Sequence, residues 1–289
     1  MSQPPAEFDE VRRSWSPTGE QVTGRLDPWP AQALAALLGT TLPGDGTLPP
    51  LWSEAYLRSA RPVSALGEDG HPADGALVPP LPHRRRMFGG GRIVVTAPLR
   101  LGETATRTSS VRDVRLRQGR SGWLLLLTEL HELRVGDDVR VREERDIVYR
   151  RPEDVARPAA SGGTPASCGA GVPDDDADFV LHPDERQLFC FSALTYNAHR
   201  IHYDRDYTRQ VEGHRDLLVH GPLLVIGAIE AARRIRPEAS APITSVDYRL
   251  VAPSHPGSPV VFSTAPGNDR TARVVGTQDG VATVEARVG

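Results

Sequence analysis

Apolar positions along the chain change period more than once, and the changes divide it into two similar halves. In the first half, residues 29 to 38 keep small and apolar side chains at helical spacing, which predicts a short amphipathic helix, followed by a turn-rich stretch from Thr40 to Pro50. Alternation at period two then predicts strands over residues 92–97, 104–117, 123–134 and 138–149. Their joints at Leu101-Gly102, Gln118-Gly119 and Val135-Gly136 are short, so the strands form an antiparallel meander. In the second half Asp184-Glu185 places acids ahead of an apolar run ending near Phe191, as a helix start requires. His220-Gly221-Pro222 opens the most apolar helix, Leu223 to Arg234; Pro222 needs no donor in the first turn, and Arg233, Arg234 and Arg236 suit the carboxyl end of the dipole. Gly227, Ala228, Ala231 and Ala232 let a sheet wrap closely around that helix. Strands over 244–251, 259–264, 271–277 and 280–288 follow. A long buried helix wrapped by an antiparallel sheet, twice over in one chain, predicts an α+β double hot dog.

Residues 151–177 are rich in Pro, Ala, Gly, Ser and Asp and lack apolar periodicity, so they read as a linker between a domain at 1–150 and one at 178–289. The acidic triplet Asp174-Asp175-Asp176 at its end reads as a solvated helix approach.

The net charge of -3 offers no electrostatic reason to expect nucleic acid or an anionic membrane as partner. No apolar run approaches the roughly 20 residues that span a bilayer, and Met1-Ser2-Gln3-Pro4-Pro5 lacks the features of a signal peptide, so the expected location is the cytoplasm. Cys168 and Cys190 form no disulfide framework or Cys-x-x-Cys pair; Cys190 is expected in the core. Every one of the 34 basic residues is Arg. Without Lys, Schiff-base chemistry, a pyridoxal-phosphate lysine and a P-loop lysine are all excluded. Neither a Gly-x-Ser-x-Gly elbow nor a Gly-x-Gly-x-x-Gly loop is present.

Chemistry concentrates in Phe191-Ser-Ala-Leu-Thr-Tyr-Asn-Ala-His-Arg-Ile-His-Tyr-Asp204, where Asn197, His199 and His202 alternate with small or apolar residues after a helix. Imidazole titrates near neutrality and is the default proton carrier. This stretch resembles the hydratase-2 signature of the MaoC-like hot-dog family, Asp-x-Asn-Pro-Leu-His. His202 falls on the family's catalytic His, Ile201 on its aliphatic neighbour, Arg200 on its Pro, His199 on its Asn and Asn197 on its catalytic Asp. The pattern Asn-x-His-Arg-Ile-His, with Leu66-Gly-Glu-Asp-Gly-His-Pro72 and Arg85-Arg-Met-Phe-Gly-Gly-Gly-Arg92, is similar to a branch holding the type 2 3-hydroxyacyl-thioester dehydratases and the mesaconyl- and itaconyl-CoA hydratases.

The resemblance implies a lyase that adds or removes water across the α,β bond of an acyl-CoA or acyl-carrier thioester, with no cofactor, in a chain compatible with a homodimer. His202 is then the main general base, because an amide at Asn197 cannot accept a proton and can only hold water through its oxygen. Backbone amides near Gly221 polarise the thioester carbonyl. His199, Tyr203, Asp204 and Tyr207 are candidate helpers. Arg84, Arg85, Arg86 and Arg92 are placed to grip carrier phosphates or the carboxylate of a dicarboxylic acyl group. His71, in a Gly/Pro-rich turn, reads as structural. The first half has no counterpart of the Asn197–His202 loop, so by the family's logic it is a non-catalytic hot dog completing the acyl cavity. His199 and His202 lack a third ligand of suitable spacing, so no metal is expected. Two other classes stay open: a hot-dog thioesterase, and an acyl-thioester-binding protein without catalysis.

Overall fold

The structure, a computed structural model, is described over residues 3–81, 85–119, 122–151, 177–236, 242–267 and 271–289. The linker expected at 151–177 lies almost wholly outside the described residues, as do Arg84 and Cys168. The first half runs α1 (Ala6–Ser14), β1 (Glu20–Arg25), α2 (Pro28–Leu38), β2 (Thr47–Leu48), a 3-10 turn at Trp52–Ala55, β3 (Arg85–Val95), β4 (Leu99–Arg100), β5 (Thr104–Gly119), β6 (Gly122–Val135) and β7 (Asp138–Arg150). The second runs β8 (Phe179–Leu181), α3 (Glu185–Thr195), a 3-10 turn at Arg200–His202, α4 (Arg205–Gln210), α5 (Gly221–Arg234), β9 (Ser245–Leu250), β10 (Val260–Pro266), β11 (Ala272–Gln278) and β12 (Val281–Val288).

Ten of the described strands form one antiparallel sheet in the order β1-β5-β6-β7-β3-β9-β12-β11-β10-β8, and β2 pairs with β4 apart from it. Its halves join where β3 pairs with β9, from Gly90 opposite Arg249 to Val94 opposite Ser245. The architecture is the expected hot-dog α+β arrangement, with the two sheets fused edge to edge. α5 is buried from Leu223 through Ala232 and packs against β8 to β12. A Cβ at Gly227 would lie 2.4 Å from Phe262 Cζ, so glycine is what lets β10 close on the helix. In the first half no described helix matches α5 in length. There α2 and the Trp52 turn share a core with Ile93, Ala105, Leu133 and Val141, while Phe8 and Val11 of α1 pack on Leu125, Leu127, Ile147 and Tyr149.

Three local readings change. The strand expected from Arg92 begins at Arg85, so Gly89-Gly90-Gly91 lies within the sheet. Glycine is needed there because a Cβ at Gly91 would fall 2.2 Å from Glu144 O and one at Gly90 would fall 2.6 Å from Tyr248 O. Cys190 is exposed rather than core, since α3 buries Leu188, Phe191 and Thr195 instead. The helix α1 and strand β1 had no clear signal; β1 is an edge strand whose burial alternates only between intermediate and exposed.

Candidate active site

The loop that follows α3 is held by its own side chains. The Asp184 side chain accepts the Gln187 amide at 2.8 Å and starts α3. Tyr196 ends it with φ 51°, in the left-handed region. Asn197 Oδ1 then accepts the His199 amide at 3.0 Å, and Asn197 N donates to Ser192 O at 2.9 Å. The short turn at Arg200–His202 buries His202. Its Nδ1 lies 2.8 Å from Leu218 O. A carbonyl only accepts, so Nδ1 carries the proton and Nε2 keeps its lone pair.

His202 stacks on His220 with ring centroids 3.6 Å apart and 18° between planes, and meets the edge of His199 at 5.6 Å. His220 caps α5, and its Nε2 lies 2.8 Å from Ser192 Oγ. Burial pushes His202 down to about 4, against the Leu218 carbonyl, which favours the charged form. Burial and neighbouring imidazoles hold His199 and His220 well below the usual histidine range. The three rings are therefore neutral at pH 7.

The first half contributes to the same place. His71 lies against His199 with centroids 4.1 Å apart. Asp69 Oδ1 accepts the His71 amide at 2.9 Å, Asp69 O accepts the Arg200 amide at 2.9 Å, and Asp69 Oδ2 is 3.5 Å from His71 Nδ1. Gly70, at φ 86°, sits so close that a Cβ would be 1.8 Å from Ala198 O. The turn at 67–72 thus seats on the histidine loop, and His71 is a neighbour of the site where its sequence context suggested only a structural turn. Possible ligand atoms of Asp69, His71 and His199 lie within 4.8 Å of one another, the set among the described residues with the spacing for a metal ion. Arg86 Nη1 is 3.5 Å from His71 Nε2, and a fixed guanidinium at that range opposes a dication.

The remaining predicted residues are distributed more widely. Gly221 is the first residue of α5, and a Cβ there would fall 2.5 Å from Leu250 Cδ1 and 2.7 Å from Phe88 Cδ1. Tyr203 is exposed. Asp204 uses Oδ1 to accept the Tyr207 amide at 3.0 Å and Oδ2 to accept Arg200 at 2.7 Å. Tyr207 is buried, with its hydroxyl 3.2 Å from Glu212 Oε1. Arg85 donates to the backbone carbonyls of Val211 and Glu212, and Arg92 donates to Glu144 at 2.8 Å on the outer face. Of the predicted arginines that are described, Arg86 is the one that reaches the histidine cluster.

Comparison with known proteins matches residues 52–256 to the family described as hydroxyacyl-thioester dehydratase type 2. The chain is 38% identical over 265 residues to a mesaconyl-C(4)-CoA hydratase of Chloroflexus aurantiacus, covering 89% of this chain and 91% of that protein. It is 24% identical over 212 residues to the mitochondrial hydroxyacyl-thioester dehydratase type 2 of Saccharomyces cerevisiae, covering 68% and 64%. Among solved structures, a MaoC-like dehydratase from Phytophthora capsici superposes with a TM-score of 0.66 at 15% identity over 97% of both chains, a likeness of fold.

Proposed function

The chain belongs to the hydroxyacyl-thioester dehydratase type 2 family, and from that premise we propose that it reversibly hydrates the α,β double bond of an enoyl-CoA, with a short dicarboxylic acyl group such as mesaconyl as the first substrate to test. Membership makes it a carbon–oxygen lyase acting on thioesters. The observation that carries the proposed chemistry is the His202 tautomer: a neutral ring with Nδ1 bound to Leu218 O presents Nε2 as a base beside the start of α5. In the hydration direction His202 Nε2 takes a proton from water as the oxygen bonds to the β carbon. The electron pair of the double bond moves onto the thioester, and the amides of Gly221 and Leu223, unpaired at a helix start, favour the enolate oxygen. The proton returns to the α carbon and water has been added. Asn197 holds the loop and offers its remaining oxygen lone pair to the water.

No helix among the described residues is long and apolar enough to cross a membrane. Cytoplasmic placement and a homodimer remain part of the proposal. The test is the absorbance of the enoyl-thioester band with mesaconyl-C4-CoA, itaconyl-CoA and crotonyl-CoA. Loss of the band without release of thiol is expected. Release of free thiol would identify a thioesterase, and binding without either change would identify a non-catalytic protein.

A further inference from the structure

His199 is the ring that the two halves share. It lies against His71 of the first half with centroids 4.1 Å apart and stands edge-on to His202 at 5.6 Å. The residue is only 7% exposed. Its backbone amide donates to Asn197 Oδ1, whereas its ring makes no hydrogen bond to a described residue. His202 and His220 differ in this respect, since each places one nitrogen on a protein oxygen, Leu218 O and Ser192 Oγ. A neutral imidazole brings one N–H and one lone pair, and buried polar groups as a rule have hydrogen-bond partners. The His199 ring therefore calls for a ligand with both an acceptor and a donor.

What the first half brings to that ring is a carboxylate. Asp69, His71 and His199 offer ligand atoms that lie within 4.8 Å of one another. Three points so placed share a centre within about 2.8 Å of each, the length of a hydrogen bond to oxygen. A metal ion does not suit the place, because the Arg86 guanidinium stands 3.5 Å from His71 Nε2. That guanidinium is anchored from its other side by Glu129 at 3.6 Å, a member of the buried charged row that Glu129 and His131 on β6 form with Glu143 and Arg145 on β7. A neutral O–H group meets no such opposition, since it donates to the carboxylate and accepts from an imidazole N–H. Asp69 has room for it. Oδ1 accepts the His71 amide at 2.9 Å and Oδ2 is 3.5 Å from His71 Nδ1, while a carboxylate accepts at about four positions.

We propose that Asp69, His71 and His199 bind the oxygen that joins or leaves the β carbon, as water in one direction and as the β-hydroxyl of a 3-hydroxyacyl thioester in the other; the proposal rests on the hydratase reading of the chain. The His199 ring stands next to both His71 and His202, so the bound oxygen belongs to the cluster that holds the proposed base. One hydrogen of the water goes to the Asp69 carboxylate. The other is left for His202 Nε2, and a lone pair is left for the β carbon. As the carbon–oxygen bond forms, the second hydrogen passes to His202 as a proton, and Asp69 remains an ionised acceptor throughout. An ionised acceptor holds an O–H roughly twice as strongly as a neutral one, and Asn197 Oδ1 already accepts the His199 amide. The firmer hold on the water thus comes from Asp69, and the first half shares in the chemistry.

The test compares binding of 2,2-difluoro-3-hydroxybutyryl-CoA and 2,2-difluorobutyryl-CoA by titration calorimetry. The two thioesters differ by the β-hydroxyl, and neither has an α hydrogen to lose, so no dehydration occurs. The wild-type protein is expected to bind the hydroxy thioester about tenfold more tightly or better, the worth of one hydrogen bond to a charged group. Asp69→Asn keeps an acceptor for the His71 amide, and His199→Phe keeps a ring against His71 and His202. Each is expected to bring the ratio below about threefold while the affinity for 2,2-difluorobutyryl-CoA stays within about twofold of wild type, since the lost hydrogen bond is made to the hydroxyl alone. Equal affinities in the wild type, or an undiminished ratio in either variant, would overturn the site. So would a parallel fall in both affinities, the mark of a turn that only seats the loop. Should one variant fail to fold, the other decides the question. No turnover is read, so failure of the hydratase reading shows separately, as an unchanged enoyl band.

Discussion

At His202 the proton on Nδ1 is fixed by Leu218 O, so Nε2 keeps its lone pair before any substrate arrives, as the proposed base requires. His202→Ala is expected to lower hydration by a factor of about 10²–10⁴, the usual worth of one positioned acid/base group, with the melting temperature showing that the fold persists. Because burial holds His202 at about 4, well below the ordinary histidine value, the ring stays a competent base under mildly acidic conditions. The hydration rate is therefore expected to stay level from about pH 8 down to about 5.5, where a solvent-exposed histidine of pKa near 6.5 would already be mostly protonated. A half-maximal rate at pH 6.5 would contradict that. Asn197→Asp retains the acceptor for the His199 amide, so the loop survives, but its carboxylate stabilises nearby imidazolium and raises those pKa values. The rate should then decline at a higher pH than in wild type. Asn197→Leu removes the acceptor and should lose most activity at every pH.

Elements meet at the site through glycines. The Gly70 turn of the first half seats on Ala198 of the histidine loop, with both a left-handed backbone and no space for a Cβ. Gly70→Ala must therefore push the two elements apart, and it is expected to depress turnover by an order of magnitude or more by displacing His71 and His199. Refolding and a near-wild-type rate in that variant would show that the turn does not set the loop. At the start of α5, Gly221→Ala meets the movable ends of Leu250 and Phe88, an overpacking that costs about 1–3 kcal/mol. Turnover should fall further than stability, since the same side chain crowds the place proposed for the thioester carbonyl. Equal loss of both, by kinetics and denaturant melts, would reduce Gly221 to a packing role.

Over the whole molecule, buried titrating groups link stability to pH. His131 and His202 both sit at about 4, while an unfolded histidine titrates near 6.5. The unfolded chain takes up protons that the folded chain refuses, so this stabilisation is complete above about pH 6.5 and is lost progressively toward pH 4, at about 1.4 kcal/mol per unit of depression. Glu129 has the opposite protonation chemistry and the same consequence. Burial raises it, but the His131 hydrogen bond and Arg86 outweigh burial and hold it at about 2. Its contribution is present above its unfolded value near 4.3 and lost below that. Melting temperatures between pH 8 and 4 should decline from about pH 6.5 downward; a level profile to pH 4.5 would contradict the buried neutral histidines.

Period and punctuation in the sequence determined most elements: the long hairpins at β5–β7, the shorter ones at β10–β12, and the apolar helix α5 with Pro222 in its first turn. They did so because side-chain alternation, helix dipoles and glycine turns act within a few residues of where they are read. Asn197, His199 and His202 were legible for the same reason, being local to one loop. What needed the tertiary structure was everything that two distant segments share. The join of β3 to β9, His71 against His199, and the exposure of Cys190 depend on which faces meet, and no local period encodes that. The charged row on the first-half sheet had a signal, since Glu129, His131, Glu143 and Arg145 occupy the inward parity of strands whose other inward positions are apolar. That parity could not say whether those charges neutralise one another. Only the packing of Glu54, Arg58 and Tyr248 onto them decides which of these groups find a partner among the described residues, because satisfaction of a buried polar group is a property of all its neighbours at once.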